Sequence, residues 1–180
     1  MSIATPPSIA ITLAINPPNF KRDAHDVELS VTAVSNASYP ITIFTWPNIL
    51  NPGNAQLRGQ IRGFDRDTAE PMEMRTRCTK REAYIFVLGG IDDDCFFTLE
   101  PGQPMKFNAS FGVADGAALP GHRYLIDVQS GEQVDWWKKG RKEDVLNLPG
   151  QDRGACYADG QPIALSIDEP VEFQVLPLDN

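Results

Sequence analysis

Histidine is the scarcest catalytic side chain in this sequence of 180 residues: only His25 and His122 occur, in separate segments. A catalytic zinc usually takes three protein ligands rich in histidine, and HExxH is absent, so metal hydrolysis is not expected. Cysteine is nearly as sparse. Cys78, Cys95 and Cys156 are odd in number and lack CxxC spacing, which implies neither a disulfide framework nor a zinc site. A single Cys78–Cys156 or Cys95–Cys156 bridge stays open. No G-x-S-x-G elbow, P-loop or G-x-G-x-x-G turn is present, so hydrolase, kinase and dehydrogenase chemistry are set aside together. No cofactor is expected.

Positive charge is also in short supply. Sixteen Lys and Arg face twenty-four Asp and Glu, for a formal net charge of -8, whereas nucleic-acid binding draws on clustered cations. Nucleic acid is therefore not an expected partner, and the acidity favours solubility. Apolar runs long enough to cross a bilayer as a helix are missing. No Lys or Arg precedes Lys21, and Pro6, Pro7, Pro17 and Pro18 bracket only a strand-length run, unlike a secretory signal. A cytoplasmic location without membrane contact is the expectation, and the sequons at Asn36 and Asn108 then carry no meaning.

What the chain has in quantity is alternation and turn chemistry. Ile9, Ile11, Leu13 and Ile15 share one face of a strand, as do Val27, Leu29, Val31 and Ala33, with Glu28, Ser30 and Thr32 on the other. Ile41 and Ile43, then Met105 to Phe111, Tyr124 to Val128, and Val171 to Val175 repeat the period of two. That period belongs to half-buried strands. Pro-Gly at 52, 101, 120 and 149 and Asp-Gly at 115 and 159 pre-set turn dihedrals between them. The expected fold is all-β: one immunoglobulin-like antiparallel β-sandwich over residues 1–180, with one long insertion loop and one short helix. Residues 47–82 are the insertion, either an ordered loop or an edge strand pair around QIRGFDRD. The helix is expected near Lys142–Leu148, ended by Pro149-Gly150.

The stretch from VELSVTAVSNASYPITIFTW to FFTLEPGQPMKFNASFG, residues 27 to 112, resembles small fungal immunoglobulin-like proteins. It also resembles, distantly, the β-rich propeptide domain of deuterolysin-type metallopeptidases. A strand closing on Ser-Asn, an apolar strand, an insertion and a Leu-x-Pro-Gly-Gln turn carry the resemblance. It implies a fungal source and a binding or chaperone-like ancestry, at the level of fold rather than activity.

Two local features stand out as candidate sites. Cys78 lies among Arg75, Arg77, Lys80 and Arg81, and nearby cations favour the thiolate. A solvated loop would screen the same charges. Trp136-Trp137-Lys138-Lys139-Gly140-Arg141-Lys142 joins polarizable apolar surface to cations able to hold a carboxylate or enolate. Packing accounts for the same residues if one indole enters the core, the other covers a sheet edge, and the cations form its wet rim. Trp46, with Phe44, and Tyr84, with Phe86, are of a kind to line a cavity, with packing in the core as the default reading. Phe96 and Phe97 are adjacent and must face opposite sides of a strand. The run Asp92-Asp93-Asp94 lacks the spacing of a calcium loop and reads as a solvated turn.

The residues thus support a non-catalytic binding domain for an apolar small molecule, a peptide or a protein partner. Trp136, Trp137, Lys138, Arg141, Trp46 and Tyr84 are its candidate ligand-binding residues, and Cys78 its candidate reactive thiol. The cationic segment extends the candidate ligands to anionic small molecules. The alternative is a cofactor-independent cyclase, isomerase or pericyclic enzyme of the Diels-Alderase type from fungal secondary metabolism, acting by holding a substrate in a reactive shape.

Overall fold

A computed structural model describes residues 6–77, 88–146 and 158–177; Cys78, Tyr84, Phe86, Pro149-Gly150 and Cys156 lie outside the described residues. Its strands are β1 (Ile9–Asn16), β2 (Asn19–Phe20), β3 (Glu28–Ser35), β4 (Ile41–Phe44), β5 (Ile61–Asp65), β6 (Pro71–Met72) and β7 (Phe96–Leu99). They continue with β8 (Pro104–Ser110), β9 (Arg123–Val128), β10 (Gln133–Val134), β11 (Trp137–Lys139), β12 (Ile163–Ile167) and β13 (Val171–Val175). Two short helices, α1 (Pro52–Leu57) and α2 (Lys142–Val145), complete the elements used below.

The alternation in β1 translates directly into burial: Ile9, Ile11, Leu13 and Ile15 are buried while the residues between them are exposed. β3 departs from that pattern. Leu29, Val31 and Ala33 are buried as expected, but Ser30 on the opposite face is buried too, with its hydroxyl on the Glu28 carboxylate at 3.1 Å.

One five-stranded sheet runs β10-β12-β1-β3-β8 and a second runs β2-β13-β9-β5-β6. Their inward faces share one core, in which Ile11, Leu29 and Val31 of the first sheet meet Ile61, Ile126 and Phe173 of the second. At one end of it the rings of Phe20 and Tyr124 stack on Phe173 at 5.2 and 5.3 Å. A three-stranded sheet, β11-β4-β7, adds Ile41, Ile43, Leu99 and Trp137 to the same core. The architecture is a mostly β, sandwich-like fold, as the alternation implied.

Four features differ from expectation. In place of one long loop, residues 47–77 build α1, β5 and β6; β5 with β6 is the strand pair at a sheet edge that QIRGFDRD allowed, with β9 on the other side of β5. Its core-facing positions are Ile61, Gly63 and Asp65, so hydrophobic alternation could not reveal it. Pro52-Gly53 opens a helix rather than a turn. Pro occupies the first turn and the Asn51 side chain accepts from the Asn54 N–H at 3.3 Å, the start signal that a Pro-Gly turn imitates. The short helix near residue 142 forms where expected, which makes two α-helices rather than one among the described residues. Finally, two strand pairs are parallel, the interior pair β1 with β12 and the edge pair β13 with β2.

Candidate functional site

The long edge strand β8 is the feature that most needs a functional explanation. Its side chains alternate between an outer row, Lys106, Asn108 and Ser110, which is exposed, and an inner row, Met105, Phe107 and Ala109, which is buried or half-buried. Its hydrogen-bonding phase follows from the ladder. The Phe111 N–H donates to the Val27 carbonyl at 2.8 Å, and the register places Leu29 opposite Ala109 and Val31 opposite Phe107. In an antiparallel pair such bonded positions alternate, so Met105, Phe107 and Ala109 direct their backbone groups to β3. The groups of Lys106, Asn108 and Ser110 therefore point away from the sheet. On the other side of β3 the Asn36 N–H reaches the Ser8 carbonyl, which sets the opposite phase toward β1 and agrees with this assignment.

Gln56, buried on α1, closes one end of that edge. Its side-chain amide donates to the Ser110 carbonyl at 3.0 Å and accepts from the Gly112 N–H at 3.0 Å. A side chain here does what the peptide group of a neighbouring strand would do. Beyond it, the Lys106 and Asn108 N–H and C=O groups make no hydrogen bond to any described residue. Other edges of the described sheets are shorter, two residues in β2, β6 and β10, three in β11 and four in β7, against seven in β8. Short edges are a common protection against unwanted pairing. Among the described residues, β8 has beside Gln56 just Pro104 and Lys106 as protection, the Lys106 ammonium lying 3.6 Å from the Glu28 carboxylate.

Between α1 and the end of β8 opens a cleft of about 460 Å³. Ala109 and Phe111 line it from the sheet side, Asn54, Gln56 and Leu57 from the helix, and Arg75 from beyond. It is apolar at Ala109, Phe111 and Leu57 and polar around them, a suitable setting for one mid-sized side chain.

The Trp-Trp segment is placed differently from a ligand site. Trp137 is 5% exposed in the main core, and its indole N–H donates to the Gln161 carbonyl at 2.9 Å. Trp136 is buried in a second cluster with Phe44, Phe96, Val145 and Leu146, against which Trp46 packs half-buried. Phe96 faces that cluster, 4.8 Å from Phe44, while Phe97 meets Phe107 at 4.9 Å on the other side, the opposition their adjacency required. The guanidinium of Arg58 sits 5.2 Å from the Trp46 ring centroid.

The cations that follow already have carboxylate or ring partners. Lys138 meets Asp159 at 3.5 Å, Arg141 meets Glu100 at 2.7 Å, and Lys142 meets Asp93 at 3.0 Å. Lys139 lies 4.3 Å from the Tyr39 ring centroid. The Lys142 ammonium holds the Asp93 carboxyl below its ordinary value, and Glu100 raises the Arg141 guanidinium above its own. An anionic ligand would have to displace these acids. Of the sequence candidates, the structure gathers Trp46 and Trp136 around one cluster and sets Trp137, Lys138 and Arg141 apart from it.

His122 and Asp65 form a polar pair that neither residue's surroundings in sequence announce. Nδ1 of His122 lies 2.6 Å from Asp65 Oδ2, and the other carboxylate oxygen accepts the Asp67 and Thr68 N–H groups. The His122 bond, then the backbone donors, bring the Asp65 carboxyl down to about 2. The carboxylate organises the turn after β5, so the pair is structural in its visible contacts. A third polar group, Glu132, accepts the Gln60 amide at 2.9 Å, and burial pushes its carboxyl above the ordinary range.

Among the described residues no cluster of His, Cys, Asp and Glu is arranged to hold a metal ion, and no helix is long and apolar enough to cross a membrane. Sequence reasoning missed the edge of β8 because exposure of a backbone edge is a property of sheet order, which no residue pattern in β8 records. Compared with known proteins, the sequence matches no family model and no curated protein.

Proposed function

We propose that the protein is a non-catalytic, cytoplasmic binding domain that takes an extended stretch of polypeptide along the outer edge of β8. One observation carries this reading: a seven-residue edge strand presents the outward backbone groups of Lys106 and Asn108, which have no hydrogen-bonding partner among the described residues. Strand addition uses such groups for affinity and side-chain pockets for selection. The cleft beside Ala109 supplies the pocket, and Gln56 marks where the added strand must stop. The described clefts open to solvent, and the Trp136–Arg141 segment is engaged in packing and ion pairs. Both points support binding over a pericyclic reaction confined in an aromatic cavity.

Selection from a displayed library of random peptides tests the reading. Enriched peptides are expected to bind wild type and to lose about tenfold or more in affinity on Asn108→Pro, which removes one outward donor. Proline is tolerated where its missing N–H faces away from the sheet, so the melting temperature should hold. Enriched peptides that bind Asn108→Pro as well as wild type would refute strand addition at this edge.

A further inference from the structure

We infer that the polypeptide fitting the β8 edge is a second copy of the same chain, paired antiparallel about a two-fold axis at Phe107. This rests on the strand-addition reading and specifies its occupant. The outward backbone groups of β8 are self-complementary. Pro104 offers a carbonyl but no N–H, Lys106 and Asn108 offer both groups, and Ser110 offers only its N–H because Gln56 holds its carbonyl.

With Phe107 opposite the partner's Phe107, Lys106 faces the partner's Asn108 and the two exchange both of their bonds. Pro104 then comes level with the partner's Ser110, the place the Gln56 amide already takes, so the added ladder consists of the four Lys106–Asn108 bonds and the proline brings no N–H to be left unmade.

Neighbouring registers fail this count. A two-fold at Lys106 sets two ammonium groups directly opposite one another, which is destabilising, and leaves an Asn108 carbonyl facing the proline nitrogen. A two-fold at Asn108 points the Lys106 N–H at the occupied Ser110 carbonyl. Buried donors and acceptors left unmade are costly, so the edge selects one register.

Side chains agree with that register. Met105, half-buried at the edge, comes opposite the partner's Ala109, the small residue beside the cleft of about 460 Å³. A flexible thioether suits an irregular cleft of mixed lining. On the outer row each Lys106, already next to its own Glu28, faces a neutral asparagine. The result joins two five-stranded sheets into one continuous sheet and leaves neither β8 edge open.

Sedimentation velocity on the full chain across the micromolar range, with amide hydrogen exchange at the same concentrations, tests the pairing. A reversible dimer is expected, with Lys106 and Asn108 amides protected in proportion to its population. Asn108→Pro should raise the dimer dissociation constant about 10- to 100-fold, since symmetry removes the bond twice. Met105→Ala leaves the backbone untouched and should weaken the dimer several-fold with the monomer still folded. A dimer whose Lys106 and Asn108 amides exchange freely overturns the inference. A wild-type monomer whose same amides are protected by a library-selected peptide overturns self-pairing but keeps strand addition. A monomer that no selected peptide protects overturns both.

Discussion

Replacing the two adjacent tryptophans by alanine, one at a time, separates packing from ligand contact at the segment that chemistry alone would favour as a site. A tryptophan buries roughly 200 Å², which at about 25 cal/mol/Å² corresponds to about 5 kcal/mol. Alanine retains a part of that, and measured Trp→Ala losses in cores run at about 3–5 kcal/mol. Trp136 is 8% exposed and Trp137 5%, so both belong in that range. Trp137→Ala also strips the Gln161 carbonyl of the indole donor at 2.9 Å, adding about 1 kcal/mol. The expected losses are therefore about 3–4 kcal/mol for Trp136→Ala and about 4–5 kcal/mol for Trp137→Ala. For a chain of this size that lowers the melting point by about 6–16 °C and about 8–20 °C respectively. Urea unfolding followed by far-ultraviolet circular dichroism is the assay, because fluorescence would lose part of its own signal. Arg141→Ala serves as the comparison and should stay within about 1 kcal/mol of wild type, as for an exposed ion pair. Either tryptophan variant melting with wild type at an unchanged denaturant slope would refute the placement of that indole in a core.

Two further outcomes follow from particular geometries. Gly140 holds φ at +119°, and a Cβ there would come 3.0 Å from Val145 Cγ1; Gly140→Ala should cost about 1–3 kcal/mol in chemical unfolding, and a neutral result would contradict the strained turn between β11 and α2. Because the Asp65 carboxyl falls from 3.8 to about 2 in the fold, its contribution is complete above about pH 4 and is lost as pH falls toward 2. Carbon-detected titration of Asp65 should show the low midpoint in wild type and a rise toward the ordinary value in His122→Ala, stopping short of it because the Thr68 and Asp67 amides remain. An unmoved midpoint would remove His122 as the main cause.

Much of the sandwich was legible before any coordinates. The strand around Ile9–Ile15, the apolar row of β3, and the closing strands of Tyr124–Val128 and Val171–Val175 all lie where a period of two places them. β12 was not legible, and β5 only as one of two readings of QIRGFDRD. Ile163, Leu165 and Ile167 alternate over too short a run between polar segments, and β5 turns Gly63 and Asp65 inward. Gly63 is small because Met72 and Met74 pack where its side chain would be, a reason that exists only in three dimensions. Pro52-Gly53 carried the signature of a turn and of a helix start at once, and only the Asn51 cap decided between them.

Composition and periodicity determine on their own that this is a β-rich chain with a real core, because alternation and turn residues act over a few neighbouring positions. Which residues face a partner is another matter. Trp136 and Trp137 look like a site in one dimension and become core in three, since packing partners such as Phe96 and Ile43 come from distant strands. Lys106 and Asn108 look like ordinary polar residues of a strand. They become the exposed edge only because β8 lies at the end of its sheet and α1 brings Gln56 to cap the Ser110 side. Strand order and edge capping depend on contacts between residues far apart in the chain, and only the tertiary structure decides those.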